Sequence, residues 1–323
     1  MNVVFVERTI RDLMRSHNTP GVAISVVKNN KMLYSKGFGS RNLKNFQPMD
    51  SDTLIGIGSI TKSFTAFAIV KLQEQGKLSL EDSVNEYLRV EPFVSHPAIK
   101  IKHLLSHSSG IPSLDAGMLG LTYTYDDFSR VYPVCGRDDF FAHLADAEEF
   151  IRFEPGEKFF YNNDLYSCLG FIIEEVGGLP FDESIKQTIL DPLEMSRTVF
   201  TQQELYSDPQ RNIMTGYLLS HNNDRAELKE SEVPIGGFLQ APGGLYTSMN
   251  ELSNYAKCLL NKGEYNGRQI LNPESVAALF EGQIITTYGE SDFPQYALGW
   301  SMDEPSSNLP YKTIHHGGRL GTS

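Results

Sequence analysis

An α+β fold is what the chain predicts, and three observations carry that expectation. A strand–turn–strand pattern opens the sequence, strand-like patterns return near its end, and the stretch between them reads mainly as helix. Strands at both ends around a helical middle describe one composite unit with a helical insertion rather than two independent domains. The α/β part takes residues 1–74 and 236–323, and the mostly helical part takes 75–235. A chain of 323 residues is long enough to bury the core this requires.

Residues 4–16 carry the apolar spacing of an amphipathic helix. "GVAISVVK" (21–28), the pair Asn29-Asn30 and "KMLYSKGFG" (31–39) read as a strand, a tight turn and a second strand. Residues 59–75 form a helical run that is apolar on most sides and stops at Gly76; such a helix is buried. The helical middle comprises 80–88, 99–107, 137–151, 163–177 and 181–191, with long turns between them. Strand patterns near 243–248 and 296–303 alternate with helices at about 249–261 and 273–281. The final element, "YKTIHHGG", is a strand entering a glycine turn.

Composition excludes several function classes. Apolar content of 40% with 21% charged residues is that of a globular protein. A net charge of −12 argues against a nucleic-acid backbone or an anionic membrane surface as partner, since both call for basic patches. No run approaches the roughly 18 apolar residues of a membrane span. The N-terminus lacks a basic region before its few apolar residues, so the chain is expected in the cytosol, or downstream of a leader removed from this numbering. Cys135, Cys168 and Cys258 are far apart and odd in number, which speaks for buried thiols rather than a disulfide framework or a thiolate metal site.

The candidate chemistry begins at "GIGSITKSF", where Ser59 and Lys62 stand three apart. About one Ser-x-x-Lys string is expected by chance in a chain of this length, and Ser25 with Lys28 is a second one. Geometry separates them. Residues i and i+3 share a face on a helix but point to opposite faces on a strand. Ser25 and Lys28 lie in a strand-like run, whereas Ser59 and Lys62 open a helix. Gly56 and Gly58 leave room beside Ser59 for backbone or substrate. A serine there also suits a helix cap.

Three further strings raise the site reading above the cap. Tyr161 is followed by Asn163, alone among the fifteen tyrosines in having Asn two positions on. "IKHLLSHSSGIPSL" and "GGLYTSMNELSNYAKCLLNKG" are distinctive longer strings, and "TIHHGGRLG" sets His315 two residues before Gly317. His103 and His107 are spaced like a helical metal pair, but no Glu follows His103 and no third ligand is evident, so no metal is expected.

With Ser59/Lys62, Tyr161/Asn163 and His315/Gly317 in that order, the chain resembles the penicillin-recognising serine hydrolases: class C β-lactamases, D-Ala-D-Ala carboxypeptidases, D-aminopeptidases and related esterases. "ILDPLEMSRTVF" and "ALGW" look like further landmarks of that family, and the resemblance runs from about residue 18 to the end. It implies a β-lactamase/transpeptidase-like fold, an antiparallel sheet flanked by helices plus a mostly helical region, with the site in the cleft between them. It implies an acyl-enzyme on Ser59, with Lys62 or Tyr161 as base. Asn163 would orient Lys62 and the substrate carbonyl, and His315 would polarise Tyr161 or carry a proton. The oxyanion donors would be the backbone N–H groups of Ser59 and Gly318. No cofactor is implied.

The His-x-Gly form favours a peptidase or amidase acting on peptides that contain D-residues, with an esterase, a β-lactamase or a non-catalytic sensor as alternatives. His316 occupies the middle of the third motif, where many relatives carry Thr, which weakens carboxypeptidase and β-lactamase readings alike. Gly317 and Arg319 are candidate substrate contacts, Arg319 through a carboxylate. The family continues beyond its third motif with two strands and a helix. The chain is therefore expected to be part of a longer polypeptide, with the remainder as its partner. A homo-oligomer is also open.

Overall fold

A computed structural model of the chain describes residues 2–113, 136–222, 225–231, 237–286, 294–307 and 310–320. Helix α1 (Val3–Ser16) leads into strands β1 (Gly21–Lys28) and β2 (Lys31–Asn42), which pair antiparallel across Asn29 and Asn30. Both turn residues adopt positive φ, the conformation a tight hairpin asks of asparagine. The Ser25–Lys28 string lies on β1, with Ser25 opposite Ser35, and no hydrogen bond joins the two residues.

Helix α2 (Thr61–Glu74) is the axis of the molecule. Every residue from Thr61 to Val70 is buried, as its all-round apolar sequence predicts. Phe64, Phe67, Ile69 and Val70 meet Leu165, Leu169 and Ile172 of helix α3 (Asn163–Gly177) in the main core. Helix α4 (Met249–Leu260) packs on β1 and β2, and its Tyr255 hydroxyl donates to the Ser63 carbonyl at 3.1 Å. A second sheet closes the fold. Strands β3 (Ile284–Ile285), β4 (Gln295–Tyr296), β5 (Ser301–Asp303) and β6 (Thr313–His315) pair antiparallel in that order. Among the described residues, β1 and β6 each pair on one side only.

Two elements differ from expectation. Residues 80–88 form only a short turn, Val84–Glu86, because their backbone bonds elsewhere: Val84 N donates to Ile99 O at 2.9 Å and Ser83 bridges Lys100. Within the stretch read as mostly helical, Gly216–Asn222 and Arg225–Ser231 form an antiparallel hairpin. Residues 195–215 also lean on the α/β elements. Val199 pairs with Tyr246, Leu54 with Ile213, and Arg197 grips Asp208 through two 2.9 Å bonds while its Nη1 donates to Asp52 O. Cys168 and Cys258 are buried free thiols, and Cys135 lies outside the described residues.

Candidate active site

Ser59 sits in a single 3-10 turn, Gly58–Ile60, that runs directly into α2. The turn is held by other groups. Ile55–Gly56 pairs with Tyr246–Thr247, Thr61 Oγ1 donates to Gly58 O at 2.7 Å, and Leu245 N donates to Thr61 Oγ1 at 3.2 Å. No side chain caps the turn or the helix, so the cap reading of Ser59 falls away and its hydroxyl is left for Lys62.

Lys62 is fully buried one turn on. Its Nζ lies 3.1 Å from Ser59 Oγ, 2.7 Å from Asn163 Oδ1 and 2.8 Å from Pro242 O. Burial lowers its pKa well below the ordinary 10.5, and among the described residues no carboxylate pairs with it. The arrangement suits the neutral amine. Asn163 Oδ1 and Pro242 O are acceptors only and take its two N–H groups, which leaves the lone pair for the Ser59 O–H.

Tyr161 precedes α3. Asn162 caps that helix by accepting Leu165 N at 3.2 Å, and Asn163 is its first residue, so the Tyr-x-Asn spacing straddles a helix start. Tyr161 and Ser59 line the same cavity, and Lys62 Nζ lies 4.8 Å from the centre of the Tyr161 ring. Burial raises the phenol's pKa, opposed in part by Ser59, so Tyr161 stays protonated near neutral pH.

The third motif is placed one residue later than the sequence suggests. His315 turns away: its Nε2 pairs with the buried Asp303 at 3.0 Å and its side chain is half exposed. His316 lines the cavity instead, because successive residues on a strand face opposite ways. Its Nδ1 donates to Gly317 O at 2.6 Å, so Nε2 is the acceptor, and Tyr296 OH stands 2.8 Å away to donate to it. Burial pushes His316 down to about 4, so it is neutral at ordinary pH.

The segment after β6 lies against the nucleophile turn. A Cβ on Gly58 (φ +52°) would stand 2.6 Å from Arg319 N, and one on Gly318 would stand 1.8 Å from Ile57 O. Backbone meets backbone here, which explains the glycines. Gly317, Gly318 and Arg319 border the cavity, and the exposed Arg319 has no ion pair among the described residues. The cavity measures about 790 Å³; Ser59, Phe159, Tyr161, Tyr296 and His316 complete its main walls. A second cavity of about 380 Å³, beside Lys71, Lys77 and Arg268 at the far end of α2, holds none of the motif residues.

The sequence reading thus brings Ser59, Lys62, Tyr161 and Asn163 together as expected and misplaces the histidine. It misses Pro242, Tyr296 and His107. The first contributes only a backbone carbonyl. His107 lies within "HLLSHSSG" and Tyr296 stands one residue before "ALGW", strings that read as structural landmarks. His103, the other half of that histidine pair, spends its Nδ1 on Lys100 N at 3.1 Å.

Similarity to known proteins follows the same geometry. The chain is 34% identical to the octameric penicillin-binding protein homologue from Pyrococcus abyssi, with a TM-score of 0.88, covering 99% of this chain and 68% of that one. It is 29% identical to protein flp of Staphylococcus aureus over 317 residues, 96% of this chain and 56% of flp. The chain therefore spans about half the length of that relative. A protein of Escherichia coli K12, provisionally named a D-alanyl-D-alanine carboxypeptidase, is 25% identical over 94% of this chain and 74% of its own. The structure of a D-stereospecific amidohydrolase from Streptomyces, at 22% identity and a TM-score of 0.70, covering 93% of this chain and 82% of its own, shares the fold. The beta-lactamase family model matches residues 6–323, and the chain belongs to the beta-lactamase family, with its β-lactamase/transpeptidase-like fold.

Proposed function

We propose that the protein is a serine hydrolase that forms an acyl-enzyme on Ser59 and acts on peptides or amides containing D-residues. The observation that carries this is the placement of Lys62 Nζ, 3.1 Å from Ser59 Oγ and bonded to Asn163 Oδ1 and Pro242 O, where a neutral amine would spend its two N–H groups on those acceptors and turn its lone pair to Ser59. Lys62 takes the serine proton as Ser59 attacks the carbonyl. Tyr161, a neutral phenol beside Ser59, passes a proton to the leaving amine and regains one from Lys62. Asn163 holds Lys62 by its oxygen and leaves its amide N–H₂ for the substrate. His316, rather than His315, is the third-motif histidine. The oxyanion is met by the Ser59 N–H and by the peptides of Gly318 or Arg319, which pack against Gly58.

The names of the E. coli relative and the Streptomyces neighbour favour a D-amino-acid amide, and the unpaired Arg319 suits a substrate carboxylate. The octameric relative favours a homo-oligomer. The test is mass mapping after incubation with a fluorophosphonate. One adduct on Ser59 is expected, abolished by Ser59→Ala and kept by Ser25→Ala; an adduct elsewhere, or none, refutes the reading. Rates on D-amino-acid anilides, p-nitrophenyl esters and cephalosporins then rank the substrate classes, and the anilides are expected first.

A further inference from the structure

His107 is a buried, chemically capable side chain that the mechanism above does not use. It is fully buried, and its backbone occupies the left-handed region at φ +57°, which histidine tolerates better than most side chains. Three of its groups act on the segment that carries Tyr161. Its carbonyl accepts Phe160 N at 2.8 Å, and its Nδ1 accepts Asn162 N at 3.1 Å. Its ring lies against the Tyr161 ring, with centres 4.2 Å apart. The peptides on both sides of Tyr161 and the phenol itself are thus held by one residue.

The ring packs further on Tyr166 at 5.0 Å and Tyr296 at 4.9 Å, which locks its plane. With Nδ1 accepting a main-chain N–H, the neutral ring carries its proton on Nε2, which has no hydrogen-bond partner among the described residues. Burial keeps the ring neutral and so preserves the acceptor. An unsatisfied buried N–H is a cost that simple core filling does not explain, because an apolar ring of similar size would avoid it.

We propose that His107 is a positioning residue for acylation: it clamps the Phe160–Asn162 backbone and the Tyr161 ring so that the phenol hydroxyl stays within reach of Ser59. The inference rests on the role given to Tyr161 above. Its distinguishing consequence is that the effect of His107 passes through the Tyr161 hydroxyl.

The test is a double-mutant cycle on the whole chain. Wild type, His107→Ala, Tyr161→Phe and the double variant are compared by kcat and KM on a D-amino-acid anilide, whose leaving amine takes the Tyr161 proton. His107→Ala is expected to lower kcat about 100-fold, with KM changed less than about threefold, the loss that a displacement near 1 Å produces. In the Tyr161→Phe background the same change is expected to cost less than about threefold, since no hydroxyl remains to be placed. His107→Asn, whose Oδ1 replaces the Nδ1 acceptor and which tolerates the backbone, should recover about tenfold.

An unchanged kcat in His107→Ala, or an equal loss in both backgrounds, overturns the proposal. An undiminished rate in Tyr161→Phe instead removes the role of Tyr161 itself. Where the alanine variant unfolds, His107→Phe keeps the ring volume without the acceptor, and the cycle is run with it against the same outcomes.

Discussion

Oδ1 of Asn163 lies 2.7 Å from Nζ of Lys62, joining two motifs that stand 101 positions apart in the chain. The contact orients the amine without charging it. Asn163→Asp keeps the shape but sets an anion beside the amine. An opposite charge at this range raises an amine's pKa by about 1–3 units. Labelling of Ser59 at neutral pH should therefore fall at least about tenfold, and the acid limb of its pH–rate profile should move up by at least about one unit. An unmoved limb would show that Lys62 is not the group that must be neutral.

Stability should carry the mark of the same buried amine. Burial lowers Lys62 from its ordinary 10.5. Between its folded value and 10.5 the unfolded chain binds a proton that the folded chain does not, so folding stability rises with pH across that window and levels off above it. The contribution of one such group is at most about 1.4 kcal/mol per pH unit. Urea titrations of wild type and Lys62→Met from neutral pH to about pH 10 isolate it by difference: the gap between the two proteins should change in favour of wild type as pH rises.

His315 and His316 should separate cleanly in kinetics. His316 faces Tyr296 and the cavity, while His315 pairs with Asp303 on the other side of β6. His316→Ala is expected to lower kcat by about 10²-fold, within the range of a lost proton-handling group. His315→Ala should change kcat less than about threefold, although it removes one partner of the buried Asp303 carboxylate. Reversed magnitudes would return the role to His315.

Gly318→Ala tests the backbone contact behind the nucleophile. The added methyl would sit 1.8 Å from Ile57 O, and neither peptide can give way without moving the Ser59 turn. A stability loss of about 1–3 kcal/mol is expected from such overpacking, read as a lower melting temperature, together with slower labelling of Ser59. Gly317→Ala is the control, because nothing lies within 4 Å of the place its methyl would take.

The legible part of the molecule was the part written in local periodicity. Helices α2, α3 and α4 appear where their apolar spacing and glycine stops set them, and helical geometry alone sorted Ser59–Lys62 from Ser25–Lys28. Contacts made across the chain were not legible. Residues 80–88 lose their helix to pairing with Ile99 and Lys100, which no local pattern reports. The Pro242 carbonyl reaches Lys62 from 180 positions away and depends on no side-chain identity. His315 and His316 exchange their expected places because β6 is three residues long and ends at glycines, too short a run to show which alternate positions face the cavity.

The close approach of Gly58 to Arg319 bears on the order in which the chain is made. A ribosome delivers Ser59 and Lys62 early, Asn163 and Pro242 later, and the Gly318–Arg319 peptides later still. Until that segment docks, the serine has its neighbouring amine but not the peptides that would receive an oxyanion. A nascent or truncated chain would therefore carry a muted nucleophile, and full reactivity would arrive only with closure of the fold. The glycines that permit the contact thus tie the nucleophile turn to a segment made about 260 residues later.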